Sequence, residues 1–125
     1  MSADKVREYL RAMEERDLEL ARMFLAPDFI MTFPGGITMT SLDELVEWSK
    51  GRYRFITKTF EDFDVFKEGE DTVVYSTGML NGEALDGSAI NEVRYIDRFV
   101  FREGLIVDQQ VWNDLADVLQ QPLAK

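Results

Sequence analysis

Apolar and polar positions change rhythm once along the chain, near residue 52. Before that point the spacing is mainly helical. Val6, Leu10 and Met13 fall at i, i+4 and i+7 with Tyr9 beside them, which predicts a first helix capped by Ser2 or Asp4. A second helix follows, with Asp17 as N-cap and Leu18, Ala21, Phe24 and Leu25 as its apolar face; Pro27 ends it. "FIMTF" (29–33) reads as a short strand closed by "PGG", and "ITMT" (37–40) as an arm pairing back onto it. Ser41 followed by Glu44 forms a capping box that opens a third helix. Leu42, Leu45, Val46 and Trp48 make its stripe, and Gly51 marks its end.

After residue 52 the alternation is that of strands. Long strands are predicted over 55–69, 72–80, 90–101 and 105–113, in hairpin succession. A Gly-rich connection (81–89) separates the second from the third. Asp114 can cap a short terminal helix, "LADVLQQ". Helices first and strands afterwards predict an α+β fold, with helices packed on one face of a curved sheet. The length of 125 residues favours one domain.

Within the third long strand, Tyr95, Asp97, Phe99 and Phe101 share a face. A carboxylate in a row of aromatic rings has two readings. It can be a half-exposed residue paired with Arg94, Arg98 or Arg102, although the alternation sends those arginines to the opposite face. Or it lines an apolar pocket, where desolvation raises its pKa.

Composition narrows the chemistry. There are no cysteines and no histidines, so thiolate metal sites, Cys nucleophiles and His bases are excluded. Proton transfer falls to Asp, Glu, Tyr, Lys or water. No cofactor or metal is expected, since no Ca-loop or Walker-type spacing is present. A net charge of −10 argues against nucleic acid and anionic lipid as partners. The charged N-terminus lacks a signal-peptide core and no apolar run approaches a membrane span, so the cytoplasm is the default expectation. Fifteen aromatic residues (nine Phe, four Tyr, two Trp) can build a core or line a concave pocket.

The opening "VREYLRAMEERDLELARMFLAPDFIMTFPGG" and the closing "IDRFVFREGLIVDQQVWND", at this separation, resemble the NTF2-like (SnoaL-like) superfamily. The resemblance covers nearly the whole chain. It implies an α+β cone, three N-terminal helices packed in a curved, mostly antiparallel mixed sheet, with an apolar pocket at the open end. Its members include ketosteroid isomerases, polyketide cyclases, epoxide hydrolases, dehydratases and non-enzymatic binding modules, and fold alone does not choose among them.

Comparison with the ketosteroid isomerases implies that Tyr9 and Asp97 together hydrogen-bond a developing oxyanion. The isomerase base, an Asp before a Pro on the first strand, is replaced by Phe33 before Pro34. The epoxide-hydrolase triad is absent, with Tyr95 where its Arg stands and Val111 near its second Asp. The cyclase acid/base position falls near Asn113 and Asp114. The expected catalytic residues are therefore Asp97, Tyr9 and Asp114. Met13, Met31, Phe33, Trp48, Tyr53, Phe99, Val111 and Asn113 are expected to line the pocket. Each aromatic residue also suits an ordinary core, and Asn113 equally suits a helix cap. Arg52, Arg54 and Lys50 read as a solvated helix end or as a basic rim for an anionic ligand.

The expected function is binding of a small apolar molecule, with an isomerase, cyclase or dehydratase reaction on a polycyclic or carbonyl-bearing substrate. The alternative is a non-catalytic ligand-binding or interaction module. Ile96, Val100, Ile106 and Trp112 on the outer face suit a homodimer surface.

Overall fold

The computed structural model describes residues 2–120. Helix α1 (Ser2–Glu14) starts at Ser2, which leaves Asp4 in its first turn rather than as a cap. Its Val6, Tyr9, Leu10, Ala12 and Met13 are buried, in keeping with the helical spacing. Helix α2 (Leu18–Arg22) is capped by Asp17, whose side chain accepts from the Leu20 amide. It ends before Phe24, earlier than the apolar pattern suggests. Phe24 and Leu25 instead lead into strand β1 (Leu25–Phe33), and the Phe24 carbonyl accepts from Ile106 N–H at 2.8 Å. Pro27 sits within β1 where its pairing register shifts between Leu25 and Ile30, a position that needs no ladder N–H.

Strand β2 (Ile37–Met39) pairs back on β1, and helix α3 (Leu42–Lys50) follows. Its cap is the expected one: Glu44 N–H donates to Ser41 Oγ at 3.2 Å, and the Glu44 carboxylate accepts from Thr40 N–H at 3.0 Å. Then come β3 (Tyr53–Glu68), β4 (Asp71–Ala84), β5 (Ala89–Arg102) and β6 (Leu105–Asn113), and last α4 (Leu115–Gln120). Residues 81–84, expected in a connection, extend β4. Gly82 permits this, because a Cβ there would stand 2.1 Å from the Phe55 carbonyl oxygen. Gln121 of the expected terminal helix lies outside the described residues.

The strands form one six-stranded sheet in the order β2-β1-β6-β5-β4-β3. Only β1 and β6 run parallel, which brings the first strand beside the last. Side chains from the inner face meet α1, α2 and α3 in a core that includes Val6, Leu10, Met31, Leu42, Val74, Phe99 and Phe101. A second cluster, Leu80, Ile90, Val93, Tyr95 and Leu115, closes the α4 end. Each large apolar side chain buried this way contributes roughly 1.5–3 kcal/mol. No described helix is long and apolar enough to cross a membrane.

One expected outer-face residue lies inside. A bulge between Val100 and Phe101 places Ile106 opposite Phe101, so Ile106 turns into the core while Trp112 stays outward opposite Ile96. Val100 is also largely covered. Ile96 and Trp112 remain about half exposed.

Candidate functional site

Strand alternation aims Tyr95, Asp97, Phe99 and Phe101 inward, and all four are buried. In the sheet, Asp97 stands between Ser76 of β4 and Val111 of β6. None of the flanking arginines reaches it. Arg94 pairs with Asp114, Arg98 lies near Glu68 and Asp108, and Arg102 holds Asp71.

The partner of Asp97 is Lys58 of β3. Its Nζ lies 3.2 Å from Asp97 Oδ2 and 5.0 Å from the centre of the Tyr95 ring. The contact is a buried ion pair. Apart from this ammonium group, neither buried Asp97 oxygen has a polar partner among the described residues. Burial raises the Asp97 pKa above the ordinary carboxylate range, and Lys58 opposes the rise without cancelling it.

Lys58 is anchored through its own backbone. β3 is an edge strand, and α1 covers its outer peptide there: Glu14 Oε2 accepts from Lys58 N–H at 2.7 Å, and Arg11 donates to the Lys58 carbonyl at 3.1 Å. Arg11 and Glu14 also pair with each other at 2.9 Å. Gly78 of β4 has the Tyr95 ring against it, 3.0 Å from where a Cβ would stand, and Lys58 Nζ lies over that ring. Tyr95 donates to or accepts from Ser76 Oγ at 3.0 Å, and burial pushes its phenol up to about 12.

Two small cavities meet at Lys58. One, of about 60 Å³, is lined by Asp97, Lys58, Tyr95, Asn113, Trp48 and Arg52 among others. The other, of about 80 Å³, is lined by Tyr9, Met13, Glu14, Arg16, Gln109 and Lys58 among others. Phe33, Tyr53, Ile56 and Val111 border both. Ligand pockets usually run to roughly 300–1,000 Å³. Neither chamber is large enough at these volumes for a polycyclic molecule.

The expected residues divide accordingly. Asp97, Phe33, Trp48, Tyr53, Val111 and Asn113 border the Asp97 chamber, and Met13 and Tyr9 border the other. Met31 and Phe99 are fully buried core residues and border neither. Asn113 serves both expected roles, since its Oδ1 also accepts from Leu115 N–H at 3.0 Å.

Two of the expected catalytic residues stand apart from the Asp97 chamber. Tyr9 shares no hydrogen bond with Asp97; its hydroxyl donates to Gln109 Oε1 at 3.3 Å and lies 3.9 Å from Met31 Sδ. Burial, with Asp97 nearby, raises its pKa, so it stays a neutral phenol. Asp114 borders neither chamber. It follows the last inward residue of β6 and pairs at the surface with Arg94 Nε at 2.8 Å. The residue missed from the sequence is Lys58. Its signal was present: in "FITKTF", Lys58 shares its face with Ile56 and Phe60, a charge in an apolar row like that of Asp97.

With this geometry in view, the comparisons define the class. A family model described as SnoaL-like domain matches residues 6–109, and the chain belongs to this family. A search of curated proteins gives no significant match. Among solved structures, the chain is similar to an NTF2-like protein of unknown function from Burkholderia pseudomallei K96243. That match has 23% identity, covers 98% of this chain and 97% of the other, and has a TM-score of 0.74. TerC co-crystallised with polyporic acid matches at 15% identity, 94% and 95% coverage and a TM-score of 0.74. The CaMKII hub of S. rosetta matches at 18% identity, 90% and 93% coverage and a TM-score of 0.70. At these identities the likeness is one of fold, the NTF2-like α+β cone.

Proposed function

We propose that the protein binds a small carbonyl-bearing apolar molecule in the cone and transfers a proton on it, as an isomerase or lyase does. The observation that carries this reading is the fully buried Asp97, on the wall of a cavity, with Lys58 Nζ at 3.2 Å as its one polar partner among the described residues. A buried carboxylate so incompletely satisfied costs stability, and such groups cluster at functional sites.

In this reading Asp97 is the base and Lys58 the stabilising cation. A carboxylate with a raised pKa is a stronger base than an ordinary one and still ionises beside an ammonium group. It takes a proton from the carbon next to the substrate carbonyl. The Lys58 ammonium donates to the carbonyl oxygen as negative charge develops there, in a cavity where that interaction is little screened by water. The proton on Asp97 then returns to a different carbon, or assists departure of a leaving group. Tyr9 shapes the adjoining chamber rather than the oxyanion site. The likeness to TerC, a protein crystallised with a small organic molecule, supports ligand binding by this fold.

A second role rests on the outer sheet face, where Ile96 and Trp112 pair across β5 and β6 and stay exposed. This face supports a homodimer. It is compatible with catalysis in the cone and equally with a purely binding protein.

The test is hydrogen–deuterium exchange at carbon in a panel of small ketones and enones, followed by proton NMR. Wild-type protein is expected to speed exchange next to the carbonyl, and Asp97→Asn to abolish the effect while still binding. Binding without exchange in the wild type would leave a ligand-binding module and refute the catalytic part.

A further inference from the structure

The chamber beside Asp97 has an uncommitted cation at its edge. Arg52 follows Gly51 at the end of α3, and its guanidinium carbon lies 4.5 Å from the centre of the Trp48 ring. That contact with the ring uses none of its N–H donors. Its Nε is buried and has no hydrogen-bond partner among the described residues. No carboxylate among the described residues pairs with Arg52, whereas Arg54, two positions on, is held by Glu83 at 2.9 Å.

Its position is equally specific. Arg52 lines the Asp97 chamber together with Trp48, Lys58 and Asn113, and it also lines an open groove of about 520 Å³ outside, between α4 and the β4–β5 turn. It therefore stands between solvent and the chamber. The chamber holds two cations, Arg52 and Lys58, against one carboxylate, Asp97. Its balance is positive whether Asp97 is ionised or not, opposite in sign to the protein as a whole.

We infer that Arg52 is a binding residue for an anionic group, a carboxylate or a phenolate, so that the ligand of this site is a carbonyl compound that also carries an acid. This rests on the proposed use of the chamber and names the ligand's second functional group. A planar guanidinium with free donors matches a carboxylate, which can accept two of them side by side. An acid held at Arg52 stays at the chamber mouth, and the carbonyl end of the same molecule projects toward Lys58 and Asp97. The division of labour is chemical. Arg52 cannot be deprotonated at ordinary pH and serves only to bind, while the Asp97 carboxyl can take up a proton.

The test uses two probes of nearly one shape, crotonate and crotonamide, titrated into the full chain while the Trp48 indole N–H is followed by NMR. Crotonate is expected to bind more tightly than crotonamide despite the acidic protein surface. Arg52→Gln should weaken crotonate about tenfold, the loss of one charge-assisted contact, and leave crotonamide unchanged. Arg52→Lys should recover part of the affinity. Thermal melting of both variants checks that the fold is intact. Equal affinity for the two probes, or crotonate binding indifferent to Arg52→Gln, overturns the anion assignment and leaves the chamber reading standing. No response to either probe overturns both.

Discussion

Replacing Lys58 by Met removes the cation next to Asp97 and keeps the length and apolar stem of the side chain. A near-isosteric apolar swap costs little in packing, so the charge dominates. The variant has to bury a bare carboxylate or protonate it. Protonation is the cheaper course, and its cost at pH 7 is set by the distance from the unfolded carboxyl value near 3.9. At about 1.4 kcal/mol per pH unit the ceiling is roughly 4 kcal/mol. Breaking a buried pair by removing one partner costs about 3–5 kcal/mol by a separate route.

The sign follows from the raised pKa of Asp97 in the folded state. A group that holds its proton more tightly when folded adds stability below its unfolded pKa. That contribution is lost as pH rises toward the folded value. Lys58 opposes the rise in the wild type, so the loss there is smaller. Urea unfolding followed by circular dichroism, between about pH 4 and 7, should show the two proteins nearly equal at the acid end. Their difference should then widen with pH, by at most about 1.4 kcal/mol per unit. Lys58→Met/Asp97→Leu should recover most of the loss, since it removes both charges. A difference that stays constant with pH would mean that Lys58 contributes packing alone, and the ion pair would carry no weight.

Other expectations concern how the site is held. Glu14→Ala leaves the Lys58 amide without its 2.7 Å acceptor and should cost about 1–3 kcal/mol, with faster hydrogen exchange at that amide; unchanged exchange would count against the clamp. In Gly78→Ala a Cβ would stand 2.0 Å from the Thr59 carbonyl oxygen, so β3 must shift. The melting temperature should fall and the Lys58 and Tyr95 resonances should move, whereas wild-type stability would show that the edge strand is loose. Trp112→Glu places a charge opposite Ile96 and should dissociate the proposed homodimer in sedimentation, with the cone intact; an oligomeric state unchanged from wild type would refute this face as the dimer surface.

The element order, the α3 cap and the six-strand outcome follow from periodicity, because each depends on neighbours in the chain. The inward direction of Asp97 was legible for the same reason. What alternation alone did not give was the partner. Lys58 and Asp97 are brought together by the pairing of β3 with β4 and β4 with β5, a relation across strands. The same limit explains Ile106, which one bulge carries from the outer face to the core. It also explains Tyr9, whose hydroxyl is taken by Gln109 of β6, a hundred residues away. Asp114 read as a site residue because the end of β6 could not be placed to one position, and at that point one position separates cavity from surface.

The proposed chemistry rests on Asp97 being a buried, proton-exchanging carboxyl set against Lys58. The most direct measurement is a carbon-13 NMR titration of the Asp97 side-chain carboxyl, assigned with Asp97→Asn. The midpoint should lie clearly above the ordinary value near 3.9 and move higher still in Lys58→Met. A midpoint at or below about 4 in the wild type would contradict it, and would make Asp97 an ordinary structural ion-pair residue.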